Sequence, residues 1–162
     1  MSSRLIDDPD GVSALAAQVS DRLGIPAEHV EKDFWVTEVL RGAVHGAAQA
    51  GVVVVFKGGT SLSKAFGLIQ RFSEDVDMLV IYPEEMRTPD RERALKTIVR
   101  GASDATALDT VSVPGATSKG KRRGARFNVA TPTQGPDFQR ASSWNLDRVA
   151  ARCRRPSRRF AH

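Results

Sequence analysis

At 162 residues with 41% apolar side chains, the chain suffices for one packed domain, and it has no apolar run near the roughly 18 residues of a membrane span. A single cysteine, Cys153, excludes an internal disulfide framework and any cysteine-based metal cluster. The formal charge of +5 comes from residues 139 to 162, which hold seven arginines against one aspartate; residues 1 to 138 carry a net −1, so bulk charge gives the body no nucleic-acid signal.

The opening MSSRLIDDPDG is acidic and lacks an apolar h-region, which argues against a signal peptide and for a cytoplasmic location. Val12, Leu15, Ala16, Val19 and Leu23 step by three and four, the period of an amphipathic helix, and Gly24 suits its end. Pro26 suits the first turn of a second helix, along which Val30, Phe34, Thr37, Leu40, Val44 and Ala47 keep the spacing to about Ala50. That period leaves Lys32, Asp33 and Trp35 partly on the opposite, solvated face, with Trp35 an exposed aromatic. His29 and His45 are not at metal-ligand spacing and read as ordinary helix residues. Residues 1–50 thus form an N-terminal helical unit.

The stretch VVVVFKGGTSLSKAFGLIQRFSEDVDMLV, residues 52–80, carries the chemistry. Val52 to Phe56 is a short β-branched and aromatic run that predicts a strand covered on both faces. Gly58 and Gly59 permit a sharp turn with close backbone approach to a ligand. Thr60 and Ser61 are good N-cap residues for a helix to about Leu68, whose free N–H groups and dipole favour a phosphate. Lys57 and Lys64 flank the turn, and Lys64, one turn into the helix, is either a surface lysine or a point charge for that phosphate. Ser73 can bond a phosphate or cap the turn. Asp75 and Asp77, two apart, share a face on an extended chain, and two carboxylates so placed call for a cation between them. A glycine turn or an Asp-x-Asp alone is a weak signal. In this order, across one short helix, they point to metal-dependent nucleotidyl or phosphoryl transfer. The spacing is not that of a Walker A loop.

Thr88 as N-cap and Pro89 at the first turn open another helix with an apolar stripe of Leu95, Ile98 and Val99. Val111 to Val113 predicts a short strand before the Pro114–Gly115 turn. Lys119, Lys121, Arg122, Arg123 and Arg126 follow, either a solvated loop or a hold for a triphosphate or RNA backbone. Arg126, Asn128 and Ala130 alternate with Phe127 and Val129, a strand pattern.

FKGGTSLSKAFGLIQRFSEDVDMLV resembles the core of the AbiEii/AbiGii-type nucleotidyltransferase toxins of the DNA polymerase β-like superfamily. EKDFWVTEVLR (Glu31 to Arg41) and GKRRGARFNV (Gly120 to Val129) are similar to that family's N-terminal helix and next strand region. The resemblance spans about Ile25 to Val129. It implies an α/β (α+β) fold, a small mixed nucleotidyltransferase-type sheet flanked by helices, with the core at 51–136. It also implies a toxin of a bacterial toxin–antitoxin or phage-defence system that moves nucleotides from NTP onto tRNA, with a cognate antitoxin protein as partner. Catalysis would fall to Asp75, Asp77 and Ser73, with Mg²⁺ on Asp75 and Asp77. Nucleotide phosphates would fall to Lys57, Gly58, Gly59, Thr60, Ser61, Lys64, Arg123 and Arg126, and Glu31, Lys32 and Asp33 would support the site.

Past about Pro136 the resemblance stops, and the family's later helical region, which supplies a further lysine and acidic residue, is not recognisable. Residues 137–162 show no sustained period and are rich in Arg, Ser and Ala, which predicts a basic disordered tail. A frameshift product and a native basic arm both fit that composition. Three functions follow: the tRNA-directed toxin, impaired by truncation; an inactive fragment that only binds NTP–Mg or an antitoxin; and a small-molecule, antibiotic-modifying nucleotidyltransferase. The wording of the helix and glycine-turn motifs favours the toxin family over the third.

Overall fold

The computed structural model describes residues 4–57, 75–108, 110–112, 122–128 and 143–150, and the side chains of residues 4–56 and 78–108. Helix α1 (Pro9–Leu23) starts where the Asp8 carboxylate accepts the Gly11 N–H at 3.0 Å, and it stops at Gly24, whose φ of 67° is the left-handed cap glycine accepts without strain. Only Val12 and Ala16 of its predicted stripe are buried; Leu15 and Leu23 are exposed. The helix touches the core along one narrow line against α2.

Helix α2 (Ala27–Gln49) is wedged between α1 and α3 (Thr88–Thr106). Burial on more than one side corrects the solvated face expected for it. Trp35 is 5% exposed and Glu31 2%, whereas Val44, counted in the predicted apolar stripe, is exposed. A single 3.6-residue stripe describes a helix with one buried face, and α2 has more than one. The α2–α3 crossing is set by glycine. A Cβ on Gly42 would lie 2.4 Å from the Gly101 carbonyl oxygen, and one on Gly46 would lie 2.6 Å from that of Thr97. The backbones meet where no side chain fits. Helix α3 begins with Thr88 inside it and Arg87 as its cap, one residue before the sequence expectation, and Leu95 and Ile98 are buried as its stripe predicts. The N-terminal segment straps the pair together. The Arg4 guanidinium donates to the Ala105 carbonyl at 3.1 Å and lies 3.7 Å from the Glu38 carboxylate, which Arg41 also approaches at 3.1 Å.

Among the described residues five strands, β1 (Val53–Lys57), β2 (Asp75–Ile81), β3 (Thr110–Ser112), β4 (Arg122–Asn128) and β5 (Ser143–Ala150), form a mixed sheet in the order β1-β2-β5-β4-β3. All neighbours are antiparallel except β2 and β5, which run parallel. The architecture is the α+β class expected. Met78 and Val80 of β2 are fully buried in one core with Trp35, Val39, Ala43, Leu95 and Ile98 of the helices. Ile81 and Val53, which face each other across the ladder, are 47% and 60% exposed. Strand β1 is therefore an edge strand covered on one face, which corrects the expectation of two. A run of four valines does not reveal which face is covered.

The largest departure from expectation is β5. Residues 143–150, assigned by composition to a tail without regular structure, lie between β2 and β4. The physical reason is a bulge. Two steps on β2, Asp75 to Asp77, match three on β5, Asn145 to Arg148, and two steps on β4, Arg123 to Ala125, match Val149 to Leu146. One extra residue in β5 resets its parity, so Trp144 and Leu146 are followed by Val149 where strict alternation needs residue 148. The remainder of the tail lies outside the described residues.

Candidate active site at the head of strand β2

The antiparallel ladder sets Lys57, the last residue of β1, opposite Asp77 of β2. Gly58 follows Lys57 directly in the chain, and Lys57 ends β1 at the same end of the ladder at which Asp75 and Asp77 begin β2. Gly58, Gly59, Thr60, Ser61, Lys64 and Ser73 lie outside the described residues, so their sequence assignments stand as expectations. Asp75 and Asp77 lie in β2, as the sequence predicts.

Strand register groups the remaining candidates into rows across the sheet. One row runs Lys57, Asp77, Arg148. The next runs Asp75, Asn145, Arg126, Val111. A third runs Phe56, Met78, Val149, Arg123. With strands about 4.8 Å apart, Arg126 is roughly 10 Å of backbone from Asp75 along one row. Arg126 thus shares a row with a site aspartate, whereas Arg123 shares its row with Met78, which is fully buried beneath the helices. The two arginines that sequence reasoning paired belong to different rows.

Asn145 and Arg148 were missed because β5 was missed. The usable signal was Trp144 and Leu146 two apart, cut short by the bulge before a third apolar position confirmed the period. On α2, none of Glu31, Lys32 and Asp33 is without an interaction partner. Phe34 and Trp35 meet edge to face at 5.4 Å between ring centroids. At the far end of β2, burial raises the pKa of Tyr82, an effect that the Arg91 guanidinium 5.2 Å over its ring partly offsets.

No described helix is long and apolar enough to cross a membrane. No characterised protein and no solved structure matches the chain. A family model does, over residues 44–150, described as "Nucleotidyl transferase AbiEii toxin, Type IV TA system". The match contains the glycine turn, the Asp-x-Asp strand and the arginine strand β4, and it passes residue 136, where the sequence resemblance stops, to include β5. The chain therefore belongs to the AbiEii nucleotidyl transferase toxin family of type IV toxin–antitoxin systems.

Proposed function

We propose that this chain transfers a nucleotide from an NTP onto tRNA in the cytoplasm, as the toxin whose effect a cognate antitoxin opposes. The observation that carries the reading is the junction at Lys57 and Asp77, where the strand leading into the glycine turn and the strand bearing both aspartates are direct neighbours. A phosphate-binding turn and a carboxylate pair serve one reaction only if they act on the same molecule, and this pairing is what supports that.

The donor set fits a divalent cation. Asp75 and Asp77 offer hard carboxylate oxygens two residues apart on one strand, the ligand type Mg²⁺ selects. These two residues would hold it, and when bound it would neutralise charge developing on the reacting phosphate. The chain's own groups do the rest. Holding the phosphates falls to Gly58, Gly59, Thr60 and Ser61, orienting them to Ser73, and offsetting their charge to Lys57, Lys64 and Arg126. Arg123, on the row of Met78, fits an outer contact to RNA or phosphate rather than the aspartate rows. An acceptor hydroxyl on the RNA then attacks the α-phosphorus in line. The new P–O bond forms as the α–β anhydride bond breaks, pyrophosphate leaves, and the hydroxyl proton passes to solvent.

The test is incubation of the full chain with total tRNA, Mg²⁺ and each α-labelled NTP in turn. Label moving onto tRNA, lost in the Asp77→Asn variant, is the expected result. Label moving onto an aminoglycoside and never onto RNA would place the chain with small-molecule nucleotidyltransferases instead. Nucleotide binding without transfer to either would reduce it to a binding-only form.

A further inference from the structure

Strand β1 forms one edge of the sheet, and nothing in its sequence guards that edge. Among the described residues its only strand neighbour is β2, with which it pairs from Val53–Ile81 to Lys57–Asp77 without a shift in register. Sheet edges are ordinarily blunted by proline, charge, a bulge or a covering loop, because their free N–H and C=O groups invite another strand. Val53 to Phe56 contains no proline and no charge. The outer face of the strand is also apolar: Val53 is 60% exposed, Val55 44% and Ile81 47%, and Leu79, opposite Val55, is half-buried. The alternate positions Val54 and Phe56 pair with Val80 and Met78, which are fully buried, so the helices cover the other face only.

We infer that β1 pairs antiparallel with β1 of a second copy of this chain, across a two-fold axis at Val54. A two-fold contact must be complementary to itself. Centred at Val54, the pairing sets Val53 of each copy opposite Val55 of the other. On the uncovered face it then joins Ile81 and Val53 of one copy to Val55 and Leu79 of the other in an apolar row, and the axis repeats that row once. An axis at Val55 would instead set Val53 against Lys57 and break the row. Charge favours the same arrangement. Lys57 ends β1, whereas at the opposite end of the ladder β2 runs through Ile81 toward Glu84 and Glu85. Both glutamates are exposed and have no ion pair among the described residues. Antiparallel pairing turns the Lys57 end of each copy toward the Glu84–Glu85 end of the other, whereas in-register parallel pairing would set lysine beside lysine. The two candidate active sites then lie at opposite ends of the joined ladder, and the pairing does not depend on their chemistry. The strand offers five residues a side, against about 20 to 30 in a standard interface, so the dimer belongs with weak, reversible contacts.

The experiment is sedimentation velocity of the full chain from about 1 μM to about 1 mM, the span in which weak contacts dissociate. The weight-average mass should climb from that of one chain toward that of two, and a single-chain mass throughout overturns the inference. Val53→Lys and Val55→Asp each set a charge against a valine at both symmetric positions, and each alone should weaken association about tenfold or more. Mixed together, the two variants bring lysine opposite aspartate, and association should return. A mixture that stays monomeric overturns the antiparallel register, and association undisturbed by either variant overturns the interface. Ile81→Lys, on the same face but one strand in from the edge, should weaken association less. A loss equal to that of Val53→Lys would mean that sheets stack face to face, which overturns strand pairing. Val53 and Val55 are exposed, so circular dichroism should be unchanged in their variants. Should one fail to fold, Val53→Thr takes its place, since it keeps the branched shape and loses the apolar contact. Undiminished association of Val53→Thr overturns the assignment.

Discussion

Lys57 and Asp77 are direct partners in the β1–β2 ladder. That register places a basic residue of β1 directly across from the second aspartate of β2. It also brings the Gly58–Gly59 sequence close to the acidic strand, because Gly58 follows Lys57 directly in the chain. Moving either strand by one residue would separate the two, since a one-residue slip exchanges the faces of every position in a strand.

Asp75→Asn and Asp77→Asn should each lower nucleotide transfer by about a thousandfold or more, since each removes a charge that would hold the cation. Both keep the side-chain volume, so far-ultraviolet circular dichroism should not change. Labelled-NTP transfer to tRNA measures the first, and a variant retaining near-wild-type turnover would sink the metal-ligand assignment. Chelation with EDTA should match the effect of the substitutions, and added Mg²⁺ should reverse it.

The α2–α3 crossing makes a separate prediction about stability. Gly46→Ala places a methyl group 2.6 Å from the Thr97 carbonyl oxygen and 3.0 Å from the Ile98 Cα, and both are backbone atoms that cannot rotate away. Alanine favours an isolated helix by about 1 kcal/mol over glycine, so propensity alone predicts stabilisation. Overpacking of this kind costs about 1–3 kcal/mol and should win, giving a lower urea midpoint. A raised midpoint would show that the helices separate without loss.

These elements differ in how plainly the sequence announces them. Helices α1 and α3 each carry one apolar stripe, and the sequence places the end of α1 at Gly24 and the start of α3 to within a residue. Helix α2 is announced as a helix, but its buried Trp35 and Glu31 lie off the main stripe, because contacts from several directions are invisible to a one-face period. At the site, the placement of Asp75 and Asp77 on one strand is legible because their spacing is local. Arg148 is not legible, because its place depends on register across two strands and on a single bulged residue. Long-range pairing of this kind leaves no local period.

Ala107 closes α3 with φ at 54°, the only described non-glycine residue in the left-handed region. An L side chain there costs about 1–2 kcal/mol, and glycine relieves it at the position where helices most often carry one. Glycine also loses more backbone entropy on folding, so the net gain expected from Ala107→Gly is about 0.5–1 kcal/mol. Equilibrium unfolding in urea should show a higher midpoint with an unchanged slope. A lower midpoint would mean that the methyl group of Ala107 contributes packing that outweighs the strain.

Tyr82 gives the pH dependence. Its side chain is buried, its hydroxyl has no hydrogen-bond partner among the described residues, and burial raises its pKa against the opposing effect of Arg91. The native state therefore holds the phenol proton at a pH where the unfolded chain, titrating near about 10, has begun to release it. With more protons bound in the native state than in the unfolded one, stability falls as pH rises. The contribution is complete below about pH 10 and is lost as pH climbs from there through the raised native value. Tyr82→Phe removes both the titration and the unsatisfied hydroxyl, and it retains the ring beneath Arg91. At neutral pH the variant should be equal to or up to about 1 kcal/mol more stable than the parent, since a buried hydroxyl without a partner is a net cost. Above about pH 10 it should lose stability less steeply. The decisive quantity is the difference between the two urea midpoints at neutral and alkaline pH, in which titration of the lysines cancels. A difference that does not widen with pH would show that Tyr82 ionises as freely in the fold as in the unfolded chain.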